Sequence, residues 1–289
     1  MKKIAVIDVG SNSVRLMFLA DGKILYKLLN TTRLGEGIAF SPFLKSEAIE
    51  RTAKAVAEYV EKAKAEGAEG VFAYATAAVR SAKNGAEFVR RVDELCGVKV
   101  EVLSGEEEAE IGLAGALGTR DGGVIDVGGA STEVIVRKNG KLVYEKSVDI
   151  GVVRLKDTCG RDKRALEQAS LKAVDAYGNV PTACVDFYAI GGTATTLAAL
   201  FLKLKAYDPQ KITGTLLTQT DLKALVDELL SLTVEEIAAL PCVSPKRADV
   251  IAGGAVLFSV LTQSLGIEKI IVSDSDNLEG YAVRRGLLN

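Results

Sequence analysis

The chain has 289 residues, 48% of them hydrophobic and 26% charged, with a formal net charge of -2. That balance describes a globular chain long enough for one large or two medium domains. It offers no basic field to favour nucleic acid and no apolar run near the ~20 residues that a bilayer span needs. Histidine is absent, which excludes histidine triads, histidine metal ligands and phosphohistidine chemistry and leaves acid–base work to carboxylates, lysine, tyrosine, cysteine or water.

The N-terminus, MKKIAVIDVG, is basic and then apolar, but Asp8 interrupts it at once, so it reads as a first β-strand and not as a signal peptide. The same five residues, VIDVG, return at Val124–Gly128. Laying residues 6–27 over 124–145 gives nine identities in 22 positions without a gap, among them Asp8 with Asp126, Gly10 with Gly128 and Ser13 with Ser131. Both copies run strand, small-residue turn, strand, then Asp21-Gly22 or Asn139-Gly140, then strand. Such dipeptides supply the positive φ angles of two-residue hairpins, so each copy is expected to be a three-stranded antiparallel meander opening one half of the molecule.

After the first meander the pattern becomes helix and strand in alternation. Ile49, Ala53, Val56, Val60 and Ala63 predict a helix over 46–65, followed by a strand near 71–75, a helix near 84–96, a strand over 99–103 and a helix from about 106 to 117. LGTRDGG breaks the periodicity at 117–123 and marks the expected domain boundary, 1–117 against 118–289, with a terminal helix near 279–289 able to pack back on the first domain. The second half predicts helices near 163–176, 193–205, 219–230 and 245–264 and strands over 185–190 and 269–272. Alternation of this kind implies a mixed α/β sheet flanked by helices in each half. Cys96, Cys159, Cys184 and Cys242 are scattered without a CxxC pair, the pattern of a reduced, cytoplasmic protein.

Each twin strand ends in an aspartate and a turn rich in small and hydroxyl residues, Gly10-Ser11-Asn12-Ser13 and Gly128-Gly129-Ala130-Ser131-Thr132. Such turns expose backbone N–H groups that bind phosphate oxygens at the C-terminal ends of α/β strands. One copy alone could be a tight turn and nothing more; two in register point to a phosphate-binding loop in each half. A weaker third candidate, AIGGTAT, places Gly192 and Thr193 at a helix start. Asp8, Asp126 and Glu133 lie on or beside the loops, and converging carboxylates call for a cation, with Mg2+ the natural one beside phosphate. In SGEEEAEIG (104–112) the glutamates suit a helix start, and Glu108 falls on the stripe of Ile111, Gly112 and Gly115 that faces the sheet, which makes it a candidate general base. Arg15, Arg33, Arg80, Lys83 and Arg90 are the basic groups near the expected cleft; arginine there can clamp phosphate, with a solvated surface role the alternative for Arg15 and Arg80. Arg247 and Asp249 read as an exposed pair of little consequence.

The ordered set DVGSNSVRLM, RLGEGI, ATAAVR, VLSGEEEAEIG, VIDVGGASTEVIV, AIGGTATTLAAL, SPKRADVIAGG and VSDSDNLEG resembles the exopolyphosphatase/guanosine pentaphosphate phosphatase (Ppx/GppA) family in its short form. The resemblance implies two actin-like (ribonuclease H-like) domains with the active site in the interdomain cleft, and release of orthophosphate from polyphosphate ends with Mg2+ or another divalent cation. It carries Glu108 over as the base that activates water. Asp126 and Glu133 become the acids serving the metal and that water, with Asp8 beside them. Ser11, Asn12 and Ser13 become the first phosphate loop, Gly128, Gly129, Ser131 and Thr132 the second, and Arg80 a substrate arginine. Conversion of pppGpp to ppGpp, phosphoryl transfer by a kinase or ATPase of the same fold seating adenosine on Gly191-Gly192, and a non-catalytic polyphosphate or alarmone binder are the rival readings. A homodimer is implied, and neither nucleic acid nor a membrane. Three departures from the family pattern bear on substrate preference: Ala130 in place of a glycine, ITGTL at 212–216 in place of a histidine-glycine-tyrosine stretch, and SDSDNLEG with Asp276 added and a basic residue lost at Leu278.

Overall fold

The computed structural model describes residues 2–183 and 185–288; Met1, Asn289 and Cys184, one of the four scattered cysteines, lie outside the described residues. The chain divides into two compact units, one running to Ile111 and resuming at Leu278, the other spanning Gly112–Asn277.

The first unit opens with β1 (Lys3–Val9), β2 (Ser13–Ala20) and β3 (Lys23–Thr31), followed by α1 (Ser46–Ala65), β4 (Gly70–Ala75), α2 (Ala77–Ser81), α3 (Gly85–Cys96), β5 (Val100–Val102) and the start of α4 (Gly105–Leu117). Its sheet has the order β3-β2-β1-β4-β5, antiparallel within the meander and parallel from β1 onward. All but the first residue of β1 is buried, as a central strand covered on both faces requires, while β3 at the edge is exposed or half-buried up to its last residue. The C-terminal helix returns to this unit: Leu278, Tyr281 and Ala282 join Ile4, Val6, Met17, Leu19, Tyr74, Leu103 and Ile111 in one core, with the Tyr74 and Tyr281 rings stacked at 4.5 Å.

The second unit repeats the plan with β6 (Gly122–Val127), β7 (Thr132–Lys138) and β8 (Lys141–Val148). Next come α5 (Val152–Cys159), α6 (Lys163–Val174), β9 (Phe187–Ile190), α7 (Gly191–Phe201), α8 (Pro209–Ile212), β10 (Leu216–Thr218), α9 (Gln219–Ser231), α10 (Val234–Ala238), α11 (Ile251–Ser264) and β11 (Lys269–Val272). The sheet order is β10-β11-β9-β6-β7-β8. Helix α12 (Asn277–Arg284) closes the chain. Both meanders turn as the dipeptides require, with Asp21 and Gly22 at φ 48° and 72° and Asn139 and Gly140 at 51° and 70°. Each also carries a bulge at the same repeat position, after Phe18 and after Val136.

Two sequence expectations need correction. The helix expected over 245–264 starts only at Ile251, because Pro245–Arg247 forms a separate 3-10 turn. The short elements α2, α5, α8, β10 and α10 were not read from the sequence; at eight residues or fewer they carry too little periodicity to detect. No helix of the described residues is long and apolar enough to cross a membrane.

Candidate active site

The two small-residue turns have the same internal geometry. Gly10 N–H donates to Ser13 O at 3.0 Å in the first, and Gly128 N–H donates to Ser131 O at 3.0 Å in the second. In both, the carbonyls are then tied back by another segment. Asn12 O accepts from the N–H groups of Thr32 and Arg33, and Ser11 O accepts from Gly35. Gly128 O and Gly129 O accept from Val152 and Val153 at the start of α5. The amides at the equivalent positions, Ser11 and Asn12 in one loop and Gly129 and Ala130 in the other, hydrogen-bond to nothing among the described residues. Ser11 is 4% exposed and Ala130 is 1% exposed. Amides without acceptors, two of the four on buried residues, on loops where Ser11, Asn12, Gly128 and Gly129 have their carbonyls bonded elsewhere, make a positive surface that an anion completes. The hydroxyls of Ser13, and of Thr31 and Thr32 where β3 ends, are further buried donors without a partner among the described residues, while Asn12 Oδ1 is a buried acceptor without one.

Two glycines outside the loops make these closures possible. A Cβ on Gly35 would lie 3.1 Å from Ser11 Cβ and 3.3 Å from Ser11 O, and one on Gly151 would lie 2.5 Å from Gly129 O and 2.6 Å from Gly128 O. Gly35 stands in the RLGEGI stretch, but its role was not read from the sequence; Gly151 gave no local signal, because its requirement comes from a loop more than 20 positions away. Ala130 is absent from the residues with positive φ, so the methyl group in place of the family's glycine meets no left-handed backbone.

One of the differences between the two copies falls at the position that faces the aspartate across the strands. Asp8 faces Arg15 across β1 and β2, and Asp126 faces Glu133 across β6 and β7, Arg15 and Glu133 being equivalent in the repeat. Arg15 donates to Asp8 Oδ2 from Nε at 2.8 Å and from Nη2 at 2.5 Å. Asp8 is thereby neutralised by a cation of its own chain. In the second copy two carboxylates oppose each other, with Glu133 accepting from Ser147 Oγ at 2.6 Å and Asp126 from Asn277 Nδ2 at 3.2 Å. Like charges directly opposite are destabilising. Burial first, and the Glu133 charge second, raise the Tyr177 phenol above its ordinary value, so it stays protonated and donates to Thr132 O.

Glu108 is 6% exposed, the one buried member of the three glutamates at the head of α4. Arg80 Nη1, at the end of α2, donates to Glu108 Oε2 at 2.7 Å and to Leu103 O at 3.0 Å. Glu107 instead closes a capping box with Ser104 and pairs with Arg284 at 2.6 Å. Other expected binding residues are engaged with the fold. The Thr132 hydroxyl donates to Ile150 O at 2.7 Å, and the Thr193 hydroxyl donates to Val127 O at 2.9 Å. Ser131 is buried in its loop, and Arg33 is half-buried at φ 54° in the segment that closes the first loop. Gly192 lies under the Arg247 guanidinium, which occupies the place of a Cβ there, and Asp249 pairs with Lys156 at 2.5 Å; neither is the idle surface charge that the sequence suggested.

Among the described residues no three or more His, Cys, Asp or Glu side chains are gathered as a metal cluster. Asp126 and Glu133 nonetheless fit a hard cation, since Mg2+ is ordinarily held by one or two carboxylates together with waters and phosphate oxygens.

A sheet led by a 3-2-1 meander with further parallel strands beside β1, occurring twice and each time with an anion-receptive first turn, defines an actin-like (ribonuclease H-like) phosphate-handling fold. The sequence profile of the Ppx/GppA phosphatase family matches residues 16–288, and the chain belongs to that family. Exopolyphosphatase 2 of Mycobacterium tuberculosis is 32% identical over 98% of both chains. The guanosine-5'-triphosphate,3'-diphosphate pyrophosphatase of Pseudoalteromonas translucida is 31% identical over 98% of this chain, which spans 58% of that relative's length. The crystal structure of the Aquifex aeolicus family member matches with a TM-score of 0.78 and 32% identity, covering 99% of this chain and 98% of that one.

Proposed function

We propose that the chain is an exopolyphosphatase that hydrolyses the terminal phosphoanhydride of inorganic polyphosphate, releasing orthophosphate and a chain one unit shorter. The observation that carries this reading is the combination of a buried carboxylate oriented by arginine with two loops that share one internal bond and whose amides lack acceptors. Glu108 takes a proton from water as the water oxygen attacks the terminal phosphorus. The bond to the bridging oxygen breaks, and the negative charge leaves with the shortened chain. Arg80 orients the Glu108 carboxylate through Oε2 and adds positive charge beside the phosphoryl group. The loop amides of Ser11, Asn12, Gly129 and Ala130 receive phosphate oxygens. Asp126 and Glu133 would hold a divalent cation, for which magnesium suits carboxylate and phosphate donors, and it would neutralise phosphate charge.

Full-length similarity to an exopolyphosphatase favours polyphosphate over pppGpp, the second reading, which rests on a relative that this chain spans only in part. A cytoplasmic protein that engages neither nucleic acid nor a membrane belongs to the same reading, in keeping with the near-neutral charge and scattered cysteines, and a homodimer follows from the family resemblance alone. Orthophosphate release with Mg2+ from long-chain polyphosphate, pppGpp and ATP tests it. Polyphosphate turning over fastest is the expected result; preference for pppGpp moves the assignment to the alarmone, and binding without release from any of the three makes the chain a binder.

A further inference from the structure

Residues remote in sequence stand close to both oxygens of the Asp126 carboxylate, one by bonding it and one by leaving it room. On one side Gly191 opens α7 at φ 80°, and a Cβ there would lie 2.6 Å from Asp126 Oδ1. On the other, Asn277, the first residue of α12, donates from Nδ2 to Asp126 Oδ2 at 3.2 Å. Asn277 is 6% exposed, and its Oδ1 is buried with no hydrogen-bond partner among the described residues. The same oxygen lies 3.1 Å from where a Cβ on Gly112 would stand, so glycine at 112 leaves the amide room in its present place.

From this arrangement we infer that Asn277 is a positioning residue for the hydrolytic reaction, holding Asp126 through Nδ2 and a water molecule through Oδ1. The inference rests on the role of Asp126 proposed above. A buried acceptor without a donor is retained where something outside the chain supplies one, and water is the small donor at hand beside a carboxylate that is to serve a hydrolysis. A purely structural role is the competing explanation, and it makes the opposite forecast for one substitution. A structural Asn277 leaves kcat of the folded enzyme unchanged in Asn277→Asp and loses only melting temperature, since a buried carboxylate is set against Asp126. A positioning Asn277 loses kcat as well, because the change replaces the donor to Asp126 by an acceptor of like charge.

The test measures steady-state polyphosphate hydrolysis and melting temperature for Asn277→Asp, Asn277→Leu, Gly112→Ala and the control Asp126→Asn. The expected result is a kcat lowered roughly 10- to 100-fold in both Asn277 variants, the usual effect of removing a partner that orients a site carboxylate. KM should stay within about twofold, and Asn277→Asp, which sets a second carboxylate against Asp126, should melt lower than the parent while still folding. Gly112→Ala, which adds a helix-favouring methyl group against Oδ1 and alters no polar group, should lower kcat in the same direction without lowering the melting temperature. Unchanged kcat in Asn277→Asp alongside an inactive Asp126→Asn overturns the positioning role and leaves the reading of Asp126 standing. Full activity in Asp126→Asn overturns both.

Discussion

Replacing Gly151 by alanine tests the closure of the second loop without touching any group assigned to chemistry. Gly151 sits at φ -165°, extended backbone that any residue adopts, so strain in its own conformation contributes nothing. The effect comes from space alone, since the new Cβ would stand 2.5 Å from Gly129 O and 2.6 Å from Gly128 O, distances that real Cβ atoms do not show. Relief requires the loop and the head of α5 to part, which weakens the bonds from Val152 to Gly128 at 3.0 Å and from Val153 to Gly129 at 2.8 Å. Two backbone bonds at about 0.5–1.5 kcal/mol each give a cost of roughly 1–3 kcal/mol, and moving the amides of Gly129 and Ala130 off the phosphate lowers kcat/KM by about tenfold or more. Gly140→Ala is the matched control: the φ of 70° makes it unfavourable, yet a Cβ there meets nothing within 4 Å, so about 1 kcal/mol of stability is lost with activity intact. Calorimetric melting and phosphate release are the assays. A Gly151→Ala protein with parental kcat/KM refutes the claim that α5 shapes the loop.

Arg80→Met removes the guanidinium from a carboxylate that is 6% exposed, and should cost about 3 kcal/mol of stability, most of it recovered in Arg80→Met/Glu108→Gln, where no buried charge is left behind. Equal melting temperatures for the single and double variants would show that Arg80 is not the counter-charge of Glu108. Burial, and then the bond to Glu101, push the Tyr281 phenol up to about 12. Its folded value exceeds the unfolded one, so the stability it contributes is complete below pH 10 and lost as the pH rises through about 12. Tyrosinate absorbance followed against pH should show one phenol fewer ionising near pH 10 in the parent than in Tyr281→Phe corrected for the missing ring, and identical curves after correction would contradict the shift.

What the sequence made legible is what repeats or alternates. The doubled VIDVG strand, its two Gly-containing hairpins and the burial of Glu108 on the α4 stripe all depend on local periodicity or turn chemistry, and the structure has each of them. Long-range closure was not legible. Gly151 against Gly128 and Gly129, Gly191 and Asn277 against Asp126, and Arg247 over Gly192 are contacts between segments whose spacing in the chain encodes nothing about their meeting. The Arg15 and Glu133 exchange was written in the repeat alignment, but its meaning appears only when the register sets each opposite its aspartate. The hydroxyls of Thr132 and Thr193, binding groups by their motif, also donate to the backbone carbonyls of Ile150 and Val127, which the motif does not reveal.

The central claim is that Glu108 activates water while the loops hold the phosphate chain, so the decisive measurement separates binding from turnover in Glu108→Gln. Equilibrium binding of polyphosphate and single-turnover orthophosphate release would be measured on the same preparation. The expected result is affinity within about threefold of the parent and release slowed by roughly 10^2- to 10^4-fold, the span for loss of a general base. Release at the parental rate would contradict the assignment of Glu108, whatever the binding showed.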